Sequence, residues 1–170
     1  MSRILIVDDE PGIRQSLKGV FDDEGFTTEA VGTGEDCLRR LEDTPFDLIL
    51  PDIWLPGIDG LETLRRIREL SPATHIIILS GHATIATAVS ATKLGAYDFI
   101  EKPLALEHTL LTVRNALSHR RLQQGNVMLR HELEERFNIV GESIPVKALR
   151  KQITIVAPTN SRVLIYGESG

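Results

Sequence analysis

Short apolar runs alternate along this chain with segments whose apolar residues recur at helical spacing. The first pair is Ile4-Leu5-Ile6-Val7 followed by Ile13, Leu17, Val20 and Phe21 at i, i+4, i+7 and i+8, which predicts a strand and then an amphipathic helix. The alternation continues with a weaker strand at 27–31, a helix at 35–41 and a strand at 46–50. Thr33-Gly34-Glu35-Asp36 opens that helix with a capping signal. Next come a helix with Leu61, Leu64 and Ile67, a strand at 75–79, a helix around Ile85, Val89 and Thr92, and a strand at 97–100. A last helix carries Leu106, Leu110, Val113 and Leu117, for five strands and five helices.

Strands apolar at consecutive positions, joined by helices long enough for crossovers, predict a parallel sheet covered on both faces. The fold class is α/β, a doubly wound five-stranded parallel sheet. Ligands of such sheets gather at the carboxyl ends of the strands, by a topological switch point. The strand-end residues are therefore where chemistry is expected.

Beyond Ala116 the pattern changes to Ser118-His119-Arg120-Arg121-Leu122-Gln123-Gln124, with Leu129, Leu133 and Phe137 at helical spacing. This predicts an extended C-terminal linker helix to about Phe137. Leu122, Asn126, Leu129, Leu133 and Arg136 form a short a/d seam that Gly125 interrupts, and a solvated connector explains it as well as a coiled coil does. From Asn138 a new apolar pattern begins with Ile139-Val140-Gly141. It predicts a helix around 146–155 and a strand at 163–166 that stops at Gly167-Glu168-Ser169-Gly170.

Composition narrows the class without redirecting it. The 170 residues are 42% hydrophobic and 25% charged, the balance of a globular protein able to bury a core. No apolar run approaches the roughly 20 residues of a membrane span, and Met1-Ser2-Arg3 leads straight into a short strand, so no membrane partner and a cytoplasmic location are expected. The single Cys37 excludes an internal disulfide and a multi-cysteine metal site and is expected to be packing. Residues 1–121 hold 13 basic against 19 acidic side chains, whereas 122–170 hold six against five. An acidic first module is a poor binder of phosphate backbones, so no direct DNA contact is expected there.

Asp8, Asp9 and Glu10 fall where the first strand ends, and Asp52 where the third ends. With those strands adjacent, Asp8, Asp9 and Asp52 surround one crevice. Two like charges about 4 Å apart repel by roughly 4 kcal/mol at an effective dielectric near 20, so the cluster calls for a cation or for protonation. An all-oxygen carboxylate set favours a hard ion, and Mg²⁺, which accepts carboxylates together with a phosphate oxygen, suits it. Helix capping accounts for part of the acidity before Pro11. It does not account for Asp52, which precedes the loop Ile53-Trp54-Leu55-Pro56-Gly57. The fourth strand ends at Ser80, a hydroxyl donor, and the fifth at Lys102 before Pro103, an ammonium. Together these groups are what transfer of a phosphoryl group onto a carboxylate needs.

Asp8-Asp9, Asp52, Ser80 and Lys102-Pro103, in this order, resemble the receiver domain of bacterial two-component response regulators over about residues 1–121. Residues 52–57 and the run Lys93-Leu94-Gly95-Ala96-Tyr97-Asp98-Phe99-Ile100-Glu101-Lys102-Pro103 look most like the NtrX and NtrC branch, the sigma-54-dependent activators. The resemblance implies a flavodoxin-like, CheY-like sheet in the order 2-1-3-4-5. It implies a receiver over 1–121, a helical linker over 122–137 and an N-terminal fragment of an AAA+ domain over 138–170. Gly167, Glu168, Ser169 and Gly170 match the start of that domain's phosphate-binding loop. The Gly-Lys-Ser/Thr continuation does not follow, so no ATP hydrolysis is expected of these residues.

By the same resemblance Asp52 would accept the phosphoryl group from a phosphohistidine on a sensor histidine kinase. Asp9, Asp52 and the backbone carbonyl of Trp54 would hold Mg²⁺, with Asp8 assisting. Lys102 would pair with a phosphoryl oxygen, Ser80 would move to hydrogen-bond it, and Phe99 would swing inward, while the side chains of Trp54 and His82 would tune loss of the group to water. A homodimer is expected, with sigma-54 RNA polymerase and DNA reached only through further domains.

Pro51 departs from the pattern, because proline removes a ladder hydrogen bond from a central strand and could displace Asp52. It is the sole support for the alternative, a receiver that docks or dimerises without phosphorylation. A phosphatase of the haloacid dehalogenase type would need a second aspartate two residues after the nucleophile, where Trp54 stands. A flavodoxin-like cofactor binder would need Ser, Thr and Gly where Asp8-Asp9-Glu10 stand.

Overall fold

The computed structural model describes residues 1–81, 84–136, 141, 143–159, 162–164 and 166, with backbone alone over 123–136. Five strands, β1 (Arg3–Val7), β2 (Thr27–Val31), β3 (Leu48–Pro51), β4 (His75–Ser80) and β5 (Asp98–Glu101), form one sheet in the order β2-β1-β3-β4-β5. All their pairings are parallel. The helices are α1 (Pro11–Asp23), α2 (Gly34–Asp43), α3 (Gly60–Leu70), α4 (Ile85–Lys93), α5 (Leu106–Arg136) and α6 (Ile144–Val156). The doubly wound α/β expectation and its strand order hold.

Side chains alternate across a strand, so each inner strand supplies two cores. Ile4, Ile6, Leu48, Leu50, Ile77 and Leu79 pack against Leu17 and Phe21 of α1 and Val113, Ala116 and Leu117 of α5. Their neighbours Leu5, Val7, Ile49, Ile76 and Ile78 pack against Cys37 of α2, Leu64 and Ile67 of α3 and Ala91 of α4. Cys37 is packing, as expected, and burial pushes its thiol up to about 12.

Register then sets the site. Val7 pairs with Pro51, so the next residues on β1 and β3, Asp8 and Asp52, emerge level with each other. Ser80 pairs with Glu101, which brings Lys102 up beside the end of β4. The starts of α2 and α3 are fixed by side chains: Thr33 accepts from the Asp36 N–H at 3.1 Å, and Asp59 from the Glu62 N–H at 2.8 Å.

Several boundaries differ from the sequence reading. β3 runs from Leu48 to Pro51 rather than over 46–50, because the Phe46 carbonyl is taken by side chains, Thr74 Oγ1 at 2.9 Å and Arg120 Nη1 at 2.8 Å. β5 begins at Asp98 rather than at 97. The fifth helix and the expected linker helix are one element, α5, in which neither proline nor a cap intervenes and which continues through Gly125.

Compact units comprise Met1–Gly125 and Asn126–Gly170. In the second, α6 matches the helix expected around 146–155. The strand expected at 163–166 is not found: Val163, Leu164 and Tyr166 lie outside any strand and are 63%, 73% and 85% exposed. A strand needs a partner for its backbone groups, and none of the described residues supplies one. The a/d side chains from Asn126 to Arg136, residues 138–140, Ile165, His82 and Gly167 to Gly170 lie outside what is described. Among the described residues no helix is long and apolar enough to cross a membrane.

Candidate phosphoacceptor site

Three strand ends meet at one pocket. Carboxylate oxygens of Asp8, Asp9 and Asp52 all lie within 4.8 Å of one another, Asp8 and Asp52 buried and Asp9 exposed. Asp8 Oδ1 accepts from the Glu10 N–H at 2.9 Å, and Asp52 Oδ1 from the Trp54 N–H at 3.1 Å. Their other oxygens both accept from Lys102 Nζ, at 2.8 Å for Asp8 and in close contact for Asp52. Glu10 Oε1 lies 3.8 Å from the same ammonium.

Lys102 sits with only 12% of its side chain exposed. Burial alone would lower its pKa. The hydrogen bonds and charges of Asp52 and Asp8 outweigh burial and hold it above the ordinary lysine value. Asp8, Asp9 and Asp52 against one ammonium leave a formal charge of two negatives, to which Glu10 at 3.8 Å adds a third. That imbalance and the all-oxygen donor set fit a hard divalent cation.

Capping does not explain Asp52. The aspartate that caps α3 is Asp59, and Asp52 precedes a loop. The register also answers the question raised by Pro51. β3 and β4 pair at Leu48 with His75 and Ile49 with Ile76, and the same offset returns where Asp52 bridges Leu79. The Asp52 N–H reaches the Val7 carbonyl at 2.8 Å and the Ile53 N–H reaches Leu79 at 2.9 Å. Amides alternate sides along a strand, so the Pro51 nitrogen faces β4 and one bond is missing there. Pairing resumes in register, the expected displacement of Asp52 does not occur, and the docking-only alternative loses its support.

The remaining expected groups fall at different distances from this pocket. Ser80 is fully buried at the end of β4, and its carbonyl accepts the Lys102 N–H at 2.7 Å. Phe99, half-buried on β5, packs against the core beneath α3 and α4. The Trp54 side chain is 65% exposed in the loop after Asp52. His82 lies outside the described residues, as does the fragment Gly167 to Gly170.

Sequence reasoning missed the groups that hold the loop and the pocket wall. Gly60 opens α3 so close to the site that a Cβ there would stand 2.1 Å from the Asp52 carbonyl oxygen. Its N–H donates to the Ile53 carbonyl at 2.8 Å. Arg14 Nη1 donates to the Asp8 carbonyl at 2.6 Å. Neither Asp59, which caps α3, nor Gly60 was singled out by the sequence reading, and nothing in the sequence ties either residue to Asp52.

Residues 4–114 match the family model described as the response regulator receiver domain. The chain is 40% identical over 169 residues to the nitrogen assimilation regulatory protein NtrX of Azorhizobium caulinodans, covering 98% of this chain and 37% of that protein. It is 36% identical over 167 residues to the transcriptional regulatory protein ZraR of Klebsiella oxytoca, again covering 98% of this chain and 37% of the relative. Among solved structures, NtrX from Brucella abortus in complex with ADP superposes with a TM-score of 0.72 at 39% identity, over 95% of this chain and 36% of that one. A CheY-like receiver domain from Methanospirillum hungatei gives 0.70 at 32% identity, over 72% of this chain and 98% of that one. The chain thus spans little more than a third of the length of its full-length relatives. The acidic strand-end pocket, the 2-1-3-4-5 sheet and these matches together establish that the chain belongs to the response regulator receiver family, in its NtrX and NtrC branch.

Proposed function

We propose that Asp52 is the phosphoacceptor of this receiver and takes its phosphoryl group from a phosphohistidine on a sensor histidine kinase. The observation that carries the reading is the meeting of Asp8, Asp9 and Asp52 within 4.8 Å, with Lys102 bridging the two buried members. In the transfer an Asp52 carboxylate oxygen attacks phosphorus. The P–N bond breaks, the leaving imidazole nitrogen keeps its electron pair, and an aspartyl phosphate forms. Asp8, Asp9 and Asp52, with the Trp54 carbonyl, would hold Mg²⁺, which when bound supplies positive charge to the phosphoryl oxygens.

The chain's own residues do the rest. Lys102 turns its ammonium from the carboxylates to a phosphoryl oxygen, and Ser80 donates its hydroxyl to another. Phe99 follows inward and alters the surface of α4, β5 and the start of α5. Phosphorylation adds oxygens that Lys102 and Ser80 satisfy in one arrangement, and a bias of a few kcal/mol is enough to invert a two-state population.

In this reading 1–121 is the receiver, 122–137 a helical linker and 138–170 the opening of an AAA+ domain. The protein works in the cytoplasm, as a dimer, and reaches sigma-54 RNA polymerase and DNA through further domains. A beryllofluoride-activated NtrC4 receiver domain dimer is among the similar structures, at 37% identity and a TM-score of 0.68.

The test is incubation with acetyl phosphate, or with beryllofluoride, in the presence and absence of Mg²⁺, read by mass and by Trp54 fluorescence. A Mg²⁺-dependent adduct that Asp52→Asn abolishes is the expected result. Equal signals from wild type and variant would overturn the assignment.

A further inference from the structure

The loop after Asp52 is buttressed from outside by the first turn of α2. Glu35 Oε1 accepts the Ile58 N–H at 3.0 Å, across 23 residues of sequence. The carboxylate lies against Gly57, where a Cβ would stand 2.3 Å from Glu35 Oε1 and 2.9 Å from its Cδ. Gly57 also has φ +81, a conformation open to glycine and strained for other residues. Beside it Gly34 lets α2 come down onto the Ile58 side chain and Thr63, with a Cβ there only 2.6 Å from Ile58 Cγ1 and 2.3 Å from Thr63 Oγ1.

These contacts differ in kind from the loop's others. Beyond the Ile53 N–H, which bonds the Leu79 carbonyl where the loop leaves β3, the Trp54 N–H bonds Asp52 Oδ1, the Leu55 N–H bonds the Ile53 carbonyl and the Gly60 N–H bonds the Ile53 carbonyl, within the segment itself. Ile53 and Leu55 are buried, whereas Trp54, Pro56 and Gly57 are exposed, so the crest of the loop has little core contact of its own. Glu35 ties that crest to a helix whose cap, Thr33, is already fixed. A glutamate in a first helical turn ordinarily serves the helix dipole. This one bonds a backbone amide of a different element instead.

We propose that Glu35 is a positioning residue for the phosphoacceptor site. Resting on the reading of Asp52 above, the proposal is that Glu35 holds the 54–58 backbone in the position from which it completes the cation pocket. Glu35 touches neither the phosphoryl group nor the cation. It acts through the Ile58 amide, so an amide oxygen in its place should serve nearly as well as a carboxylate.

The experiment uses Glu35→Ala and Glu35→Gln in the whole chain. In metal-free protein, hydrogen exchange at the Ile58 amide should speed up in Glu35→Ala and stay near wild type in Glu35→Gln. A Mg²⁺ titration read by Trp54 emission should show about fivefold weaker affinity in Glu35→Ala, the equilibrium value of roughly one net hydrogen bond, with Glu35→Gln again close to wild type. The rate of adduct formation from acetyl phosphate should fall at limiting Mg²⁺ and recover at saturation. Unchanged Mg²⁺ affinity in Glu35→Ala overturns the proposal. So does equal weakening in both variants, which would make the effect one of charge rather than of loop position. A wild-type chain that takes up no Mg²⁺ and forms no adduct defeats the phosphoacceptor reading itself, an outcome distinct from a working wild type with unaffected variants.

Discussion

Lys102 does two jobs, and they can be separated. Its ammonium satisfies the buried oxygens of Asp8 and Asp52, so removing it leaves two carboxylates close together without a counter-charge. Breaking a buried pair from one side costs about 3 kcal/mol or more. We expect Lys102→Met to lose about that much unfolding free energy in urea without metal, and to regain part of it on adding Mg²⁺. The pH dependence has a fixed sign: because its folded pKa is raised, the lysine's contribution is complete below 10.5 and fades as pH climbs through the raised value. The gap between wild type and variant should therefore begin to close only above pH 10.5. Gly60 is the other sensitive residue. A methyl group there would meet the Asp52 carbonyl at 2.1 Å, and rigid backbone lies on both sides of the contact. Gly60→Ala should cost about 1–3 kcal/mol of stability and slow adduct formation at Asp52, because relief requires moving the acceptor itself. Lys102 was visible in the sequence because it ends a strand. Gly60 was not, since its partner is defined only by how α3 packs.

Most helices and strands were legible from periodicity because their apolar residues face one of two cores; α4 is an exception, its Ile85 and Val89 being exposed while Ala91 is buried. Their ends were less so, and α5 shows why. Its apolar positions Leu106, Leu110, Val113 and Leu117 announced a helix, but what secures its next turn is polar. His119 Nδ1 lies 3.3 Å from His75 Nε2, Arg120 bonds the Phe46 carbonyl and lies 3.4 Å from Asp47, and Arg121 reaches Ser2 Oγ at 3.2 Å. Three consecutive residues thus hold α5 to three places at the amino end of the sheet. None of these pairs has a sequence signal, because they join residues 44 to 119 positions apart. His75 is only 8% exposed, and its ring lies 5.1 Å from the Tyr97 ring, tilted by 35°. Burial lowers its pKa first; a hydrogen bond to the Ala73 backbone opposes this, and the charges of His119, Arg120 and Arg68 add to the lowering. A histidine held below its unfolded value stabilises the fold fully above pH 6.5 and progressively less as pH falls through the lowered value. The urea midpoint should therefore drop between pH 7.5 and 5.5, and His75→Gln should flatten that drop. Parallel pH profiles for the two proteins would count against His75 as the source.

At the scale of the molecule, the chemistry and the core are two products of one sheet. The strands that end in Asp8, Asp52, Ser80 and Lys102 are the strands whose apolar runs fill both cores, which is why fold and site were legible together. The contacts that tune the site, Gly60, Arg14 and Glu35, come from helices and loops whose approach no linear pattern encodes. Linkage follows from the shared sheet: whatever binds the strand ends in the folded state stabilises the whole receiver fold. Cys37, on the buried face of α2 in the core it shares with Val7, Ile53 and Leu55, can report this. It is the single cysteine, it is fully buried, and burial pushes its thiol up to about 12, so at pH 8 it is neither accessible nor ionised until the fold opens. When reclosing outpaces labelling, the labelling rate tracks the population of the open form. A ligand at about 100 times its dissociation constant adds roughly 2.7 kcal/mol and lowers that population about a hundredfold. Thiol labelling of the wild type should therefore slow by about two orders of magnitude with saturating Mg²⁺ and beryllofluoride. In Asp52→Asn the beryllofluoride contribution should vanish while Cys37 stays equally buried. Labelling that ignores the ligand in wild type would mean that Cys37 opens locally, without the sheet.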